Sequence, residues 1–309
     1  MKLSIVTSLY CSAAHVAEFH RRVRAAAAAV TPDFEIVLVD DGSPDDSLTL
    51  ALGLCARDPQ VRVVELTRNF GHHQALLAGL AASKGDHVFL IDSDLEEAPE
   101  LLGTFWAAMS ADPRLDVVYG VQERRKGGLF ERLSGRMFYA VFDFLSNTDY
   151  PHDTLTARLM TRHYVDSVLQ YPEREMDLWC LFSLAGYRQK GIAAVKLSKG
   201  TSTYSLGRRI AIAVQTITSF SNRPLVHIFF AGLAVTLVSM LWIAYLLVNR
   251  LVYDNVPEGW TSILASVWLL GGLILFSLGI IGIYLSKMFL EVKGRPRYIV
   301  RSIHGGSEA

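Results

Sequence analysis

The sequence predicts an α/β domain on a mostly parallel sheet, joined to a pair of membrane-crossing helices. Three observations carry this reading. Between Leu3 and Ile91, short apolar runs alternate with helical segments, the pattern of parallel strands with right-handed crossovers. Polar residues follow several of those runs directly: Ser8 and Tyr10, Asp40 and Asp41, Asp92 and Asp94. Two later stretches, Leu225–Val248 and Ile263–Leu285, are almost uninterrupted apolar sequence, and each has about the 20 residues that cross a hydrocarbon core.

The elements follow in order. Leu3–Leu9 reads as a first buried strand, and Ala13–Val30 as an Ala-rich helix with apolar residues at helical spacing. Phe34–Val39 is a second strand, ending in Asp40-Asp41-Gly42-Ser43-Pro44. A helix over Ser47–Ala56 leads to a third strand, Val61–Leu66. Gly71–Ser83 is helical, and His87–Ile91 is the fourth strand. In such sheets ligands bind beyond the carboxyl ends of the strands, where the polar residues stand.

Further on, Gly128–Ser146 has a one-sided apolar stripe, with Arg124, Arg125, Lys126, Arg132 and Arg136 at its beginning and on its polar side. It suits either a helix packed on the sheet or one lying in a membrane interface. Leu206–Phe220 repeats the theme. Basic residues flank the two long apolar stretches: Arg208, Arg209 and Arg223 before them, and Lys287, Lys293, Arg295, Arg297 and Arg301 after them. The connector from Asn249 to Ser262 has only Arg250. The positive-inside rule puts both termini in the cytoplasm. The expected divisions are a domain over 1–200, a juxtamembrane amphipathic helix over 201–224, two transmembrane helices over 225–286 (225–248 and 263–285), and a basic tail over 287–309.

Composition narrows the function. Of 309 residues 51% are hydrophobic, and the formal net charge of +0 gives no global field for nucleic acid. Cys11, Cys55 and Cys180 are odd in number and widely spaced. They form neither a metal pattern nor a disulfide framework, and suit a reducing compartment. The apolar run after Lys2 is too short for a signal peptide core, so the first domain is expected to stay in the cytoplasm.

The chemistry centres on Asp92-Ser93-Asp94, after the apolar run Val88–Ile91. Strand alternation would send both carboxylates to one side. Their hard oxygens suit Mg²⁺ or Mn²⁺ and, through it, a diphosphate, although such triplets also occur as plain strand-ending turns. Asp41, ahead of a Gly-Ser-Pro turn, can accept a hydrogen bond from a nucleobase, or it can cap the next helix. His72 and His73 lack a third ligand in range and read as surface or supporting residues. Arg124, Arg125 and Lys126 suit a diphosphate or an acceptor phosphate, or a solvated loop near anionic lipid.

These residues reach a family. Val39-Asp40-Asp41-Gly42-Ser43, Arg68-Asn69-Phe70-Gly71, Ile91–Leu95 with Pro99-Glu100, Tyr119-Gly120-Val121, Arg158-Leu159-Met160, Lys199–Tyr204 and the two apolar helices carry it. Over nearly its whole length the chain resembles glycosyltransferase family 2, and within it the polyprenyl-phosphate glycosyltransferases. The resemblance implies a GT-A fold and inverting transfer from a nucleotide-diphosphate sugar, with Mg²⁺ or Mn²⁺. The implied acceptor is a polyprenyl phosphate such as undecaprenyl phosphate, at the cytoplasmic face of the bacterial inner membrane. A homo-oligomer, such as a tetramer, is implied as well. It gives Ser8, Tyr10, Asp41, Asp92 and Ser93 to the nucleotide sugar, and Asp92 and Asp94 to the metal, with Asp94 also catalytic. Arg124, Arg125, Lys126, Lys199 and Tyr204 go to the phosphates.

There are departures. Ser8-Leu9-Tyr10-Cys11-Ser12 keeps only the tyrosine of the family's usual Pro-X-Tyr-Asn-Glu run, so the base-binding wall is altered. Thr156 stands where the family has its candidate base, an aspartate. A lipid phosphate, already anionic at neutral pH, needs little deprotonation. An acceptor hydroxyl would need a base, for which Asp153 is the first choice, with Glu175 and Asp177 behind it. Two other readings stand beside this one: transfer to a lipid-linked saccharide in envelope polysaccharide assembly, and a catalytically silent nucleotide-sugar-binding membrane protein.

Overall fold

The computed structural model describes residues 2–122, 154–173, 178–196, 218, 221–253 and 259–305. The segment 128–146, most of 206–220, and Arg124, Arg125, Lys126, Asp153, Glu175, Asp177, Lys199 and Tyr204 lie outside the described residues.

One compact unit holds the sheet and comprises residues 1–132, 150–203 and 295–309. Its strands are β1 (Leu3–Leu9), β2 (Phe34–Asp40), β3 (Val61–Leu66), β4 (His87–Leu90), β5 (Val117–Gln122), β6 (Thr154–Thr161), β7 (Gln189–Ala194) and β8 (Val300–His304). They form a single sheet in the order β7-β5-β6-β4-β1-β2-β3-β8. The block β4-β1-β2-β3 is parallel, as its long crossovers require. β6 runs antiparallel to β4 and β5, β7 is parallel to β5, and β8 is antiparallel to β3. The sheet is therefore mixed.

Strand alternation divides the core between two faces. Leu3, Ile5, Ile36, Leu38, Phe89 and Ile91 face one way. They pack with Val16, Phe19 and Val23 of α1 (Val16–Val30), Ala51 of α2 (Ser47–Cys55) and Leu102 and Phe105 of α4 (Leu101–Ala111). Val6, Val37, Val39, Val88 and Leu90 face the other way. They meet α3 (His72–Ala82), α5 (Arg162–Leu169) and α6 (Leu178–Leu184). With both faces covered, β1 and β2 are buried throughout, which is why they read as continuous apolar runs. Gly79 of α3 lets that helix approach closely, since a Cβ there would clash with Val6 and come within 2.8 Å of Val39.

The second unit comprises residues 133–149 and 204–294. It contains α7 (Arg223–Tyr253) and α8 (Trp260–Val292). Within them Arg223–Trp242 and Ser266–Val292 are long and apolar enough to cross a membrane. Their large apolar side chains point outward, with Leu241 72% and Trp268 76% exposed. Water would penalise such a surface heavily, whereas lipid would not. Residues 287–309, read from sequence as a basic tail, carry β8, which rejoins the sheet at β3.

Candidate active site

The carboxyl ends of β1, β2 and β4 bring the polar residues together. β1 and β2 run in register to Leu9↔Asp40, and β1 and β4 to Val6↔Leu90. The next residues of each chain therefore emerge at one edge of the sheet. Two non-glycine residues with positive φ among those described, Cys11 (φ 53) and Leu95 (φ 61), lie in these turns. Such conformations cost about 1 kcal/mol or more and concentrate at functional sites.

β4 ends at Leu90, so Asp92 and Asp94 stand in the turn that follows and not on a strand. Strand alternation therefore does not govern their directions. Hydrogen bonds do. Asp94 Oδ1 accepts the Glu96 N–H at 2.9 Å. Asp92 Oδ2 accepts the Thr156 hydroxyl at 2.7 Å. Asp92 Oδ1 is buried without a hydrogen-bond partner, and His72 Nε2 lies 3.4 Å from it. Ser93 turns inward, its hydroxyl donating to Ser8 O at 3.0 Å and lying 3.2 Å from Ser12 Oγ. That ties the end of β4 to the end of β1.

Thr156 has a partner on its other side. Its N–H donates to Glu97 Oε1 at 3.0 Å, and the Ala157 N–H to Glu97 Oε2 at 2.7 Å. Glu97 is 1% exposed. Burial first, and the nearby Asp92 charge second, push its carboxyl up to about 7, against the two backbone N–H groups. Lys196, just past β7, reaches Glu96 at 3.1 Å. The sequence reading missed Glu97 and Lys196. The acidic doublet Glu96-Glu97 after the Asp-Ser-Asp run was the available signal for the first, and nothing local marked the second.

On the other flank, Ser8 Oγ and His72 Nδ1 are 2.9 Å apart. His72 thus spans from Ser8 toward Asp92, the supporting one of the two parts read for it from sequence. Tyr10 is 51% exposed beyond β1. Asp41 is buried, and both its oxygens accept backbone N–H groups, from Phe70 at 2.7 Å and Gly71 at 3.0 Å. Asp41 is therefore the anchor of the loop before α3. Burial raises its carboxyl while those N–H groups and His72 and Arg68 lower it, with a net rise. Asp40 is buried with Oδ1 unpaired, and burial pushes it up to about 6.

Among the described residues no group of three or more His, Cys, Asp or Glu is arranged to hold a metal. Carboxylate oxygens are the ligands that Mg²⁺ and Mn²⁺ prefer, and such ions take further ligands from water and phosphate. Asp92 Oδ1, which has no hydrogen-bond partner, is an oxygen of the right kind.

Comparison with known proteins bears on the family. The model of the family described as "Glycosyl transferase family 2" matches residues 4–169, which include every turn described above. A Mycobacterium tuberculosis protein whose name goes no further than glycosyltransferase is 46% identical over 99% of this chain and 89% of its own. The SfII prophage-derived bactoprenol glucosyl transferase of Shigella flexneri is 30% identical over 99% of this chain and 100% of its own. Among solved structures, glucosyl-3-phosphoglycerate synthase of M. tuberculosis with UDP is 18% identical, with a TM-score of 0.47 over 72% of this chain and 79% of that one. A mixed sheet with site residues at the ends of β1, β2 and β4, and a family match over more than half its length, make this chain a glycosyltransferase of the GT-A type that belongs to glycosyl transferase family 2.

Proposed function

We propose that the protein transfers a sugar, with inversion, from a nucleotide-diphosphate sugar to a polyprenyl phosphate such as undecaprenyl phosphate, at the cytoplasmic face of the membrane. The observation that carries the proposal is Asp92: one oxygen held by Thr156, the other without a hydrogen-bond partner and faced by His72 at 3.4 Å, at the ligand-binding end of a family 2 sheet. Full-length similarity to a protein named bactoprenol glucosyl transferase supports the acceptor.

In this reading an acceptor phosphate oxygen attacks the anomeric carbon as the bond from that carbon to the diphosphate breaks. The nucleoside diphosphate leaves from the opposite face, so one displacement inverts the centre. Asp92 and Asp94 would hold Mg²⁺ or Mn²⁺. When bound, the cation offsets the charge that grows on the leaving diphosphate. Ser8, Tyr10 and the loop fixed by Asp41 form the nucleoside side, with Ser93 bracing the two strand ends from behind. Arg124, Arg125, Lys126, Lys199 and Tyr204 are assigned to the phosphates.

Thr156 favours a phosphate acceptor over a saccharide hydroxyl. Its hydroxyl is spent on Asp92, and a threonine takes no proton at neutral pH. A lipid phosphate needs no base, being charged already. Only a hydroxyl acceptor would call on Asp153.

Connectivity supports a hairpin through the membrane. The chain leaves the sheet-bearing unit before α7 and rejoins it after α8. Both flanks of the hairpin then lie on one side, the basic side, which is cytoplasmic. Assembly into a homo-oligomer is proposed on the family resemblance alone.

The test is acceptor chemistry. Purified membranes receive labelled nucleotide sugars with either undecaprenyl phosphate or phosphate-free undecaprenol. The proposal expects product from the phosphate only. Product from the free alcohol would overturn it in favour of hydroxyl transfer.

A further inference from the structure

The loop from Thr67 to Gly71 leads directly into His72, the residue that spans from Ser8 toward Asp92, and it is held along its length by distant parts of the chain. Gly71 and Phe70 are fixed by Asp41. Arg68 and Asn69 lie against Gly42, where a Cβ would come within 2.6 Å of their backbone. Thr67 is held by the C-terminal segment. Its N–H donates to Ile299 O at 3.0 Å, and its carbonyl accepts from Arg301 Nη2 at 3.3 Å.

The grip extends back into β3. Glu65 accepts from Arg301 Nη1 at 2.9 Å and from the Ser302 hydroxyl at 2.7 Å, with His304 Nε2 3.7 Å away. The Ser302 and Arg301 contacts hold its carboxyl below the usual range. The β3–β8 register shifts between Glu65 and Leu66, whose partners are Ser302 and Val300, so the irregularity falls at Arg301, the residue that holds both Glu65 and Thr67. Arg297 Nη1 adds a bond to Tyr171 O at 2.6 Å. Without β8, β3 would be an open edge with a fraying end. β8 also lies outside the residues matched by the family model, which end at 169.

We propose that the segment Ile299–His304 is a positioning element of the donor site. By holding Glu65 and Thr67 it fixes the 67–71 loop, and through it the placement of His72 against Ser8 and toward Asp92. Arg301 and Glu65 are its positioning residues. The part that concerns the donor rests on the reading proposed above, whereas the part that concerns the loop does not.

The test uses the full chain in detergent, with Arg301→Met, Glu65→Gln and Arg301→Lys. Amide hydrogen exchange is followed in peptides covering 67–73, with α1 and β7 as controls. The inference expects exchange over 68–73 to rise about tenfold in the first two variants with the controls unchanged. Arg301→Lys should recover much of the lost protection. The donor KM should rise about threefold or more at nearly constant kcat. Unchanged exchange over 68–73, or a rise shared equally by α1 and β7, would overturn it. A wild-type chain that transfers no sugar would instead overturn the transferase reading, and the exchange data would still decide whether β8 holds the loop.

Discussion

Thr156 donates its hydroxyl to Asp92 Oδ2 across 2.7 Å, while its own N–H is held by the buried Glu97. The residue at the position of the family's aspartate is thus a neutral donor to the first carboxylate of the Asp-Ser-Asp run. It orients Asp92 without adding a third negative charge beside Asp92 and Glu97.

Replacing the hydroxyl tests that role. Thr156→Val keeps the shape and removes a hydrogen bond to a charged group, a loss of roughly 1.5–3 kcal/mol where such a bond is made. We expect kcat/KM to fall about tenfold or more, and Thr156→Ser to stay near wild type. Steady-state kinetics on both variants, with thermal melts as a control for folding, decide it. Equal losses in both would mean that the hydroxyl does not matter.

Glu97 makes a prediction about pH. Burial pushes its carboxyl from the ordinary 4.5 up to about 7 in the folded chain. Between those values the folded state binds more protons than the unfolded state, so stability falls as pH rises through the window and is level above it. Asp40 acts in the same sense up to about 6, whereas half-buried His87, lowered by desolvation, acts in the opposite sense as pH rises toward its unfolded value. Glu97→Gln isolates the Glu97 share. The stability difference between wild type and variant should change by up to about 3 kcal/mol from pH 4.5 to 7, at about 1.4 kcal/mol per pKa unit. Denaturant unfolding at both pH values measures it, and a constant difference would remove the assignment.

Asp41→Ala leaves the Phe70 and Gly71 N–H groups without their acceptor. A fully buried unsatisfied donor costs roughly 1–3 kcal/mol, and these part-buried ones less. The expected result is a lower melting temperature together with a higher donor KM, because the loop before His72 loosens. Asp112→Ala, which removes an exposed pairing with Arg114 just after α4, serves as the contrast and should leave the donor KM nearly unchanged. Kinetics and melts on the two variants give the comparison.

Gly42→Ala meets two obstacles at once. Gly42 has φ +61, and an added Cβ would come within 2.6 Å of both Arg68 C and Asn69 N. A left-handed residue costs an L side chain about 1–2 kcal/mol before any clash, and backbone on the other side cannot swing away. We expect a destabilisation of about 2 kcal/mol or more and weaker donor binding. Gly53→Ala, in α2 with nothing within 4 Å of the added methyl, should instead be neutral or slightly stabilising.

The first half of the sheet was legible because its physics is local. β1, β2 and β4 are short apolar runs closed by polar residues, and α1 after β1 shows apolar periodicity. The later strands were not read as strands. β6 carries the buried Arg158 among its apolar residues, and β7 is a partly exposed edge strand with Gly191 inside it. β8 is short and mostly exposed, and it exists because it pairs with a strand more than 200 residues earlier. Such long-range pairing leaves no mark on neighbouring residues. In the site, the carboxylates announced themselves by their place after apolar runs. Their hydrogen-bond partners did not: Thr156 and Glu97 come from separate elements, and only the antiparallel β4–β6 pairing brings Thr156 to Asp92.

The most direct test of the central claim is sugar transfer by membranes bearing wild type or Asp94→Ala. They receive labelled nucleotide sugars and undecaprenyl phosphate, with and without Mn²⁺. The account predicts a lipid-extractable, mild-acid-labile product from the wild type that requires the cation, and about a hundredfold or greater loss in the variant, as when a main transition-state-stabilising group is removed. Equal product from Asp94→Ala, or product from the wild type without any divalent cation, would contradict it.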